Sequence, residues 1–158
     1  MEKLMKKYNN SRKNSGFSLV ELIIVIAIMA ALVAVLAPQY LKYIEKSRVS
    51  ADQTALDEYY NAVQVALADE TTVWGAGTIT LSVNATTGVA TPAFAAGAGV
   101  TVTNPTIIAV TKTNLGEKDV VLKSKVGKAL GTNKLVITID ANGGAKWTTY
   151  PTAAEWAA

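Results

Sequence analysis

Residues Phe17–Pro38 read FSLVELIIVIAIMAALVAVLAP, an apolar run in which Glu21 is the single charged side chain. A helix over these residues, rising about 1.5 Å per residue, is about as long as the hydrocarbon core of a bilayer is thick. A carboxylate in a membrane helix costs roughly 2.5–3.5 kcal/mol near the helix centre and less near an end. Glu21 therefore needs a partner, and the run itself supplies none.

Proteolysis between Gly16 and Phe17 would create that partner. The nitrogen of Phe17 would become a cationic amine four residues from Glu21 on the same helix. It would be equally available to the Glu21 of a neighbouring copy. The spacing of Phe17 and Glu21 thus predicts a subunit that stacks through its membrane helix, and Ala27, Ala30, Ala31 and Ala34 offer small surfaces for close helix approach.

The segment before the apolar run is basic. It contains Lys3, Lys6, Lys7, Arg12 and Lys13 against the single acid Glu2. Because basic residues that flank a first span stay in the cytoplasm, the N-terminus is predicted inside, with the chain beyond about Gln39 outside. A secretory signal peptide cleaved after Ala37 is the competing interpretation. Pro38 at the first mature position and Glu21 inside the run both argue against it.

The residues Ser15-Gly16-Phe17-Ser18-Leu19-Val20-Glu21-Leu22, between this leader and the apolar stretch, resemble the class III signal of the type IV pilin family. The resemblance continues through 37–44 and 47–50 and covers about the first third of the chain. It implies that a prepilin peptidase cuts between Gly16 and Phe17 and methylates Phe17. It also implies that Phe17 and Glu21 pair during assembly. The domains expected are a removed leader (1–16), a transmembrane and polymerisation helix (17–38) and an extracytoplasmic globular domain (39–158).

Composition argues against an enzyme. The chain has no cysteine or histidine, which excludes disulfides, thiol nucleophiles and imidazole acid–base chemistry. The glycines at 75–77 and 97–99 lack the strand, helix and Lys-Ser/Thr context of phosphate-binding loops. We predict no catalytic residue, cofactor or metal. A calcium site from Glu117, Asp119 or Asp140 is conceivable, but solvated loop charge is the simpler explanation.

The net charge of +3 depends on the leader. Five of the 15 basic residues and one of the 12 acidic ones lie in 1–16, so the remainder carries 10 basic and 11 acidic side chains. Lysines still bias the C-terminal part towards positive charge, among them Lys112, Lys118, Lys123, Lys125, Lys128 and Lys134. DNA is retained as a weaker alternative partner on this basis, since a lysine-rich face is usually only solvated. Asn84-Ala85-Thr86 matches a glycosylation acceptor, a triplet that also arises by chance.

The pattern beyond Pro38 is helical to about Ala68. Apolar residues recur at spacings of three, four and seven from Ala51 to Leu67, which predicts a core-facing stripe, while Asp52 is assigned to the opposite, polar face. Pro38 is expected to bend or locally break the helix, because it lacks an amide hydrogen and its ring crowds the preceding turn.

The rest of the chain has the pattern of β-structure, with residues 71–105 expected to be a connecting loop with one or two short strands. The predicted strands are Thr78–Val83, Val100–Val102, Thr106–Thr111, Val120–Lys123, Leu135–Asp140 and Ala145–Thr149. Asn142-Gly143 predicts a type I′ turn between the last two. The fold class expected is α+β, with a small antiparallel sheet on the C-terminal half of the long helix and Trp147 and Trp156 filling its core.

Three functions fit these features. The first is a structural subunit of a type IV pilus, used for adhesion, twitching motility or DNA uptake. The second is a pseudopilin of a type II secretion system, and the third is a membrane-anchored binding domain that never polymerises. The first implies as partners other copies of the chain, the prepilin peptidase, the assembly platform and its ATPases. It also implies a cytoplasmic-membrane location before assembly and an extracellular one afterwards.

Overall fold

The computed structural model describes residues 17–69, 75–97 and 106–157. The elements are α1 (Leu19–Ala68), β1 (Gly77–Val83), β2 (Val89–Ala96), α2 (Thr106–Asn114), β3 (Val120–Val121), α3 (Lys125–Ala129), β4 (Val136–Ile139), β5 (Ala145–Thr149) and α4 (Ala153–Trp156). The chain separates into two compact units, Met1–Tyr40 and Leu41–Ala158.

The long helix α1 begins and ends close to its predicted limits. It starts at Leu19, two residues after Phe17, and ends at Ala68, next to Asp69. Acidic residues are unfavourable at a helix C-terminus because they face the negative end of its dipole. The helix runs through Pro38 without interruption. It is therefore not broken there, and the bend at Pro38 stays a prediction.

The five strands form one sheet in the order β3-β2-β1-β4-β5, with every neighbouring pair antiparallel. The β1–β2 hairpin extends from the pair Gly77–Ala96 to the pair Val83–Ala90. β2 contains Pro92, although proline cannot donate to a sheet ladder. It is accommodated because β3 pairs with β2 at Val89 and Ala90, so Pro92 lies beyond that pairing, on a sheet edge.

The hydrophobic core confirms the predicted contact between helix and sheet. Leu56, Tyr59 and Val63 of α1 are buried in one cluster with inward-facing residues of β1 and β4. The cluster also contains Ala66, Leu67, Ile79, Leu81, Ile107, Leu122, Leu135, Ile137, Ile139 and Trp156. The fold is thus α+β, as predicted. Ala51, the expected start of the stripe, is exposed, and Trp147 is only partly buried against the core.

One strand prediction for the middle of the chain is wrong. Thr106–Thr111 lies in helix α2 and is not a strand. Its β-branched residues favour a strand locally, but a helix places Ile107 and Thr111 on one buried face. There the Thr111 hydroxyl donates to the Ile107 carbonyl at 2.6 Å. Residues 71–105, expected to be a loop with one or two short strands, contain β1 and β2, which are seven and eight residues long. The predicted strand Val100–Val102 lies outside the described residues.

The hairpin between β4 and β5 exists, but its turn differs from the predicted one. A type I′ turn needs positive φ at both central residues. Gly143 has a φ of 82°, while Asn142 is not among the residues with positive φ. Asp140 closes the turn instead, because its Oδ1 accepts from the amides of Asn142 at 2.9 Å and Gly144 at 2.7 Å. The β3 strand is also shorter than the predicted 120–123.

Asp52 is buried, contrary to its assignment to the polar face of α1. Its Oδ1 accepts from the Lys123 amide at 2.7 Å, and its Oδ2 accepts from the amide and hydroxyl of Ser124 at 2.9 and 2.5 Å. Ser124 in turn caps α3, because its hydroxyl accepts from the Gly127 amide at 2.8 Å. Two turns earlier on α1, Glu45 accepts from the Lys125 amide. Carboxylates of α1 thereby hold the start of α3.

Candidate assembly site

The predicted cleavage site lies at the start of the described chain. Phe17 precedes α1 and is 90% exposed, whereas Gly16 lies outside the described residues. Cleavage between Gly16 and Phe17 and methylation of Phe17 remain predictions.

Glu21 lies in the first turn of α1 and makes a hydrogen bond within its own chain. Its Oε2 accepts from the backbone amide of Ser18 at 2.9 Å. Ser18 immediately precedes Leu19, the first helical residue, and Glu21 is the third. This is the glutamate half of a capping box, which satisfies an amide that the helix leaves without a partner. A negative charge in the first turn is also favourable to the helix dipole.

This capping role was missed from the sequence, although its signal is present. The spacing Ser18-Leu19-Val20-Glu21 is the Ser-x-x-Glu pattern that precedes an apolar helical run. The structure therefore brings Glu21 and Ser18 together at the helix start. In the uncleaved chain the Phe17 nitrogen belongs to a peptide bond, so the pairing of Phe17 with Glu21 is not tested. The cap involves one carboxylate oxygen, and an ionised carboxylate can accept several hydrogen bonds.

The N-terminal half of α1 exposes its apolar side chains around its whole circumference. Every residue from 17 to 43 is exposed in the described chain, and the larger side chains from Leu19 to Leu36 retain between 50% and 73% of their accessible surface. Among the described residues, α1 is long and apolar enough to cross a membrane, and no residue of its most apolar stretch is buried. A helix that is apolar on all sides needs an apolar surrounding, which is either lipid or other helices.

The candidate calcium ligands have separate protein partners. Glu117 accepts from the Thr113 hydroxyl at 2.9 Å, Asp119 lies 3.7 Å from Lys112, and Asp140 holds its own turn. Over residues 17–69, 75–97 and 106–157, no three acidic, histidine or cysteine side chains form a group suited to a metal ion.

One C-terminal ion pair has a clear electrostatic effect. Lys134 Nζ lies 2.8 Å from Glu155 Oε1. The hydrogen bond from Lys134, together with those from Thr152, lowers the pKa of Glu155 to about 2. Thr152 and Glu155 form a complete capping box at the start of α4. This lysine therefore has a structural role.

The possible glycosylation acceptor lies at the tip of the β1–β2 hairpin. Asn84 is exposed, and its Oδ1 accepts from the amides of Thr86 and Thr87 at 2.9 and 3.0 Å. These hydrogen bonds shape the turn, so Asn84 has a structural role there whether or not it is modified. Modification of Asn84 stays a prediction.

Comparison with known proteins gives one family profile and several fimbrial proteins. A family profile described as "Prokaryotic N-terminal methylation motif" matches residues 11–37. A type IV major fimbrial protein FimA of Dichelobacter nodosus is 34% identical over 96 residues, which is 57% of this chain and 62% of that protein. Another FimA of the same species is 41% identical over 54 residues, which is 34% of this chain and 35% of the relative.

The chain thus spans about a third to three-fifths of the length of these curated relatives. No solved structure matches it. The match to the methylation motif contains the capped start of α1. The longer fimbrial match aligns 96 residues, which is more than the 50 residues of α1. Together with the long helix packed on an antiparallel sheet, these similarities support a type IV pilin.

Proposed function

We propose that this chain is the structural subunit of a type IV pilus filament. The observation that carries the proposal is the exposed apolar surface of α1 between Leu19 and Leu36, which lies within the match to the methylation motif. Its relatives are named as major fimbrial proteins, which supports a fibre-forming subunit over a pseudopilin. Adhesion, twitching motility and DNA uptake are the uses that the family resemblance implies for such a fibre.

The apolar surface has two possible environments in this proposal. Before assembly, lipid surrounds it, with the leader in the cytoplasm and the globular unit outside. After the prepilin peptidase has removed residues 1–16, the platform and its ATPases move the subunit into the filament, where helices of other copies replace the lipid. Removing apolar surface from water is favourable by roughly 25 cal/mol per Å². The apolar half of α1 is therefore expected to avoid water both before and after assembly.

Glu21 has two roles in this scheme. Its hydrogen bond from Ser18 keeps the first helical turn formed, so that the new N-terminus is presented in a fixed direction. The carboxylate then attracts the methylated amine of Phe17, from its own copy or from a neighbour. In the low dielectric of packed helices this attraction is stronger than in water, and it sets the register of the copies. Apolar packing supplies the cohesion.

The experiment uses cells that make Glu21→Val as the sole subunit. Material sheared from their surface is examined by electron microscopy after labelling with an antibody to the globular unit, Leu41–Ala158. The variant should be processed, because the cleaved bond lies four residues away, but fibres should be lost or strongly reduced. Glu58→Val is the matched control, since Glu58 is an exposed carboxylate elsewhere on α1. It should give fibres in normal yield.

The alternatives give different results. A pseudopilin would leave no long surface fibres in wild-type cells at natural expression. A non-polymerising anchored domain would leave the antibody signal in the membrane fraction alone. Normal fibres from Glu21→Val would contradict the role assigned to the carboxylate. They would not contradict the proposal that the chain is a filament subunit.

A further inference from the structure

Three exposed basic residues follow the apolar run on α1. Lys42 and Lys46 are four residues apart, so they lie on one face of the helix, and neither is in an ion pair among the described residues. Arg48 Nη1 lies 3.7 Å from Oε2 of Glu45, which is the only acidic residue between positions 39 and 51. This part of α1 therefore carries an excess of positive charge.

The fold brings three more lysines to the same turns of α1. Glu45 accepts a hydrogen bond from the Lys125 amide, and Asp52 accepts one from the Lys123 amide, so the chain that enters α3 lies against α1 here. These amides are 80 and 71 positions from their α1 partners, and Lys128 follows in the last turn of α3. We refer to six residues together as the basic surface: Lys42, Lys46, Arg48, Lys123, Lys125 and Lys128.

An open cavity of about 290 Å³ shows how closely these charges converge. Its basic lining residues are Arg48, Lys123 and Lys128, and no acidic residue of the described chain lines it. Lys128 is half-buried, and a Cβ on Gly88 would lie only 3.3 Å from its Cε. Asp52 is 1% exposed and already accepts three hydrogen bonds. The exposed charge of this region is therefore mainly positive.

The basic surface begins close to the end of the apolar run in sequence. Lys42 is four residues beyond Pro38, and Arg48 is ten residues beyond it. The headgroup layer of a bilayer is about 5–7 Å thick on each side, and electrostatic attraction extends about 8–10 Å further. At about 1.5 Å per residue, Lys42 reaches that layer and Arg48 stays within the range of the attraction. Lipid phosphates are thus the anions nearest to this surface before assembly.

We propose that the basic surface binds anionic phospholipids in the leaflet that faces the globular unit. Lys42 and Lys46 contact the headgroups, while Arg48 and the lysines around α3 add to the attraction from further out. A cluster of four to eight basic residues beside a membrane helix is typical of such binding. The inference rests on the membrane stage of the proposed function. Lipid preference and fibre yield are measured separately, so that either can fail alone.

The test reconstitutes the full chain in phosphatidylcholine bilayers. They contain a trace of spin-labelled phosphatidylglycerol, which is anionic, or of phosphatidylcholine with the same label. Electron spin resonance gives the fraction of each label that the protein immobilises, and the ratio of the two association constants measures the preference for the anionic lipid. Because the basic leader also attracts anionic lipid, the decisive quantity is the change in this preference on substitution.

Three substitutions that each remove one positive charge give graded results. Lys42→Gln should lower the preference about fivefold, the effect of one basic residue next to an anionic surface. Lys128→Gln should lower it about twofold, because this lysine lies further out and is more strongly screened. Lys146→Gln is the matched control and should change nothing. Lys146 adjoins Ala145, whose carbonyl accepts from Tyr60 at 2.6 Å, and Tyr60 lies about 27 Å beyond Lys42 along α1.

Three outcomes would contradict the proposal. A preference that is the same in wild-type protein, Lys42→Gln and Lys128→Gln would mean that the basic surface binds no lipid. A fall with Lys42→Gln alone would remove the lysines around α3 from the surface. Short duplex DNA is the competing partner, tested with the full chain in an uncharged detergent. DNA binding that is lost in Lys128→Gln, with an unchanged lipid preference, would assign the surface to nucleic acid.

Discussion

The carboxylate of Asp52 in α1 accepts two hydrogen bonds from Ser124, one from its amide and one from its hydroxyl, although 72 positions separate the two residues. Ser124 uses the same hydroxyl to cap α3. Gly127 is required beside this cluster, because a Cβ there would meet Ser124 Oγ at 2.8 Å and Asp52 Oδ2 as well. The contact between α1 and the start of α3 thus adds a buried polar cluster to the apolar core.

Asp52→Asn should destabilise the globular unit by about 1–3 kcal/mol, because an amide offers one acceptor oxygen where the carboxylate supplies two. The measurement is urea unfolding of the full chain in an uncharged detergent, followed by circular dichroism. Asp57→Asn is the control, since Asp57 is exposed on the same helix. Equal unfolding midpoints for the two variants would contradict a stabilising role for the buried polar cluster.

Gly16→Val should block maturation, because a side chain next to the cleaved bond obstructs the peptidase, as the family resemblance implies. The expected product keeps its leader and stays in the membrane. Mass spectrometry of the N-terminus decides the question, with Ser15→Ala as a control that should be processed normally. A mature chain beginning at Phe17 from Gly16→Val would show that the cleavage assignment is wrong.

The pair of Lys134 and Glu155 should make stability depend on pH. The folded-state pKa of Glu155 is lowered from 4.5 to about 2, so its contribution is present above pH 4.5 and is lost as the pH falls towards 2. The difference in melting temperature between wild-type protein and Glu155→Gln should therefore shrink over that interval. Salt should reduce it at every pH, because the pair is exposed. A difference independent of pH would contradict the lowered pKa of Glu155.

A chain truncated to begin at Lys42 should be soluble without detergent, folded and monomeric. It keeps nearly all of the unit Leu41–Ala158 and lacks the exposed apolar surface of Leu19–Leu36. Circular dichroism should show mixed helix and strand, and light scattering should show one mass. Filaments from this chain would mean that the outer unit holds the subunits together, and a disordered chain would contradict the helix–sheet core.

The local features of the chain were predictable from sequence. The apolar run, the helix to Ala68 and the pair β4–β5 depend on residues close together, and their signals survive in any tertiary context. The Ser18–Glu21 cap belongs to the same class, because its whole pattern is contained in four residues. The alternation of Thr78–Val83 likewise identified β1, whose limits differ by one residue.

Tertiary structure decided the elements whose partners are distant. Thr106–Asn114 is helical because the core covers the face that holds Ile107 and Thr111, against a local preference for strand. Asp52 is buried because the amides of Lys123 and Ser124 satisfy it, and helical periodicity carries no information about amides 71 and 72 positions away. β1 pairs with β4 across the intervening α2 and α3, so the sheet order follows from packing. A sequence pattern records which side of an element is apolar, but only the folded chain determines which distant group meets it.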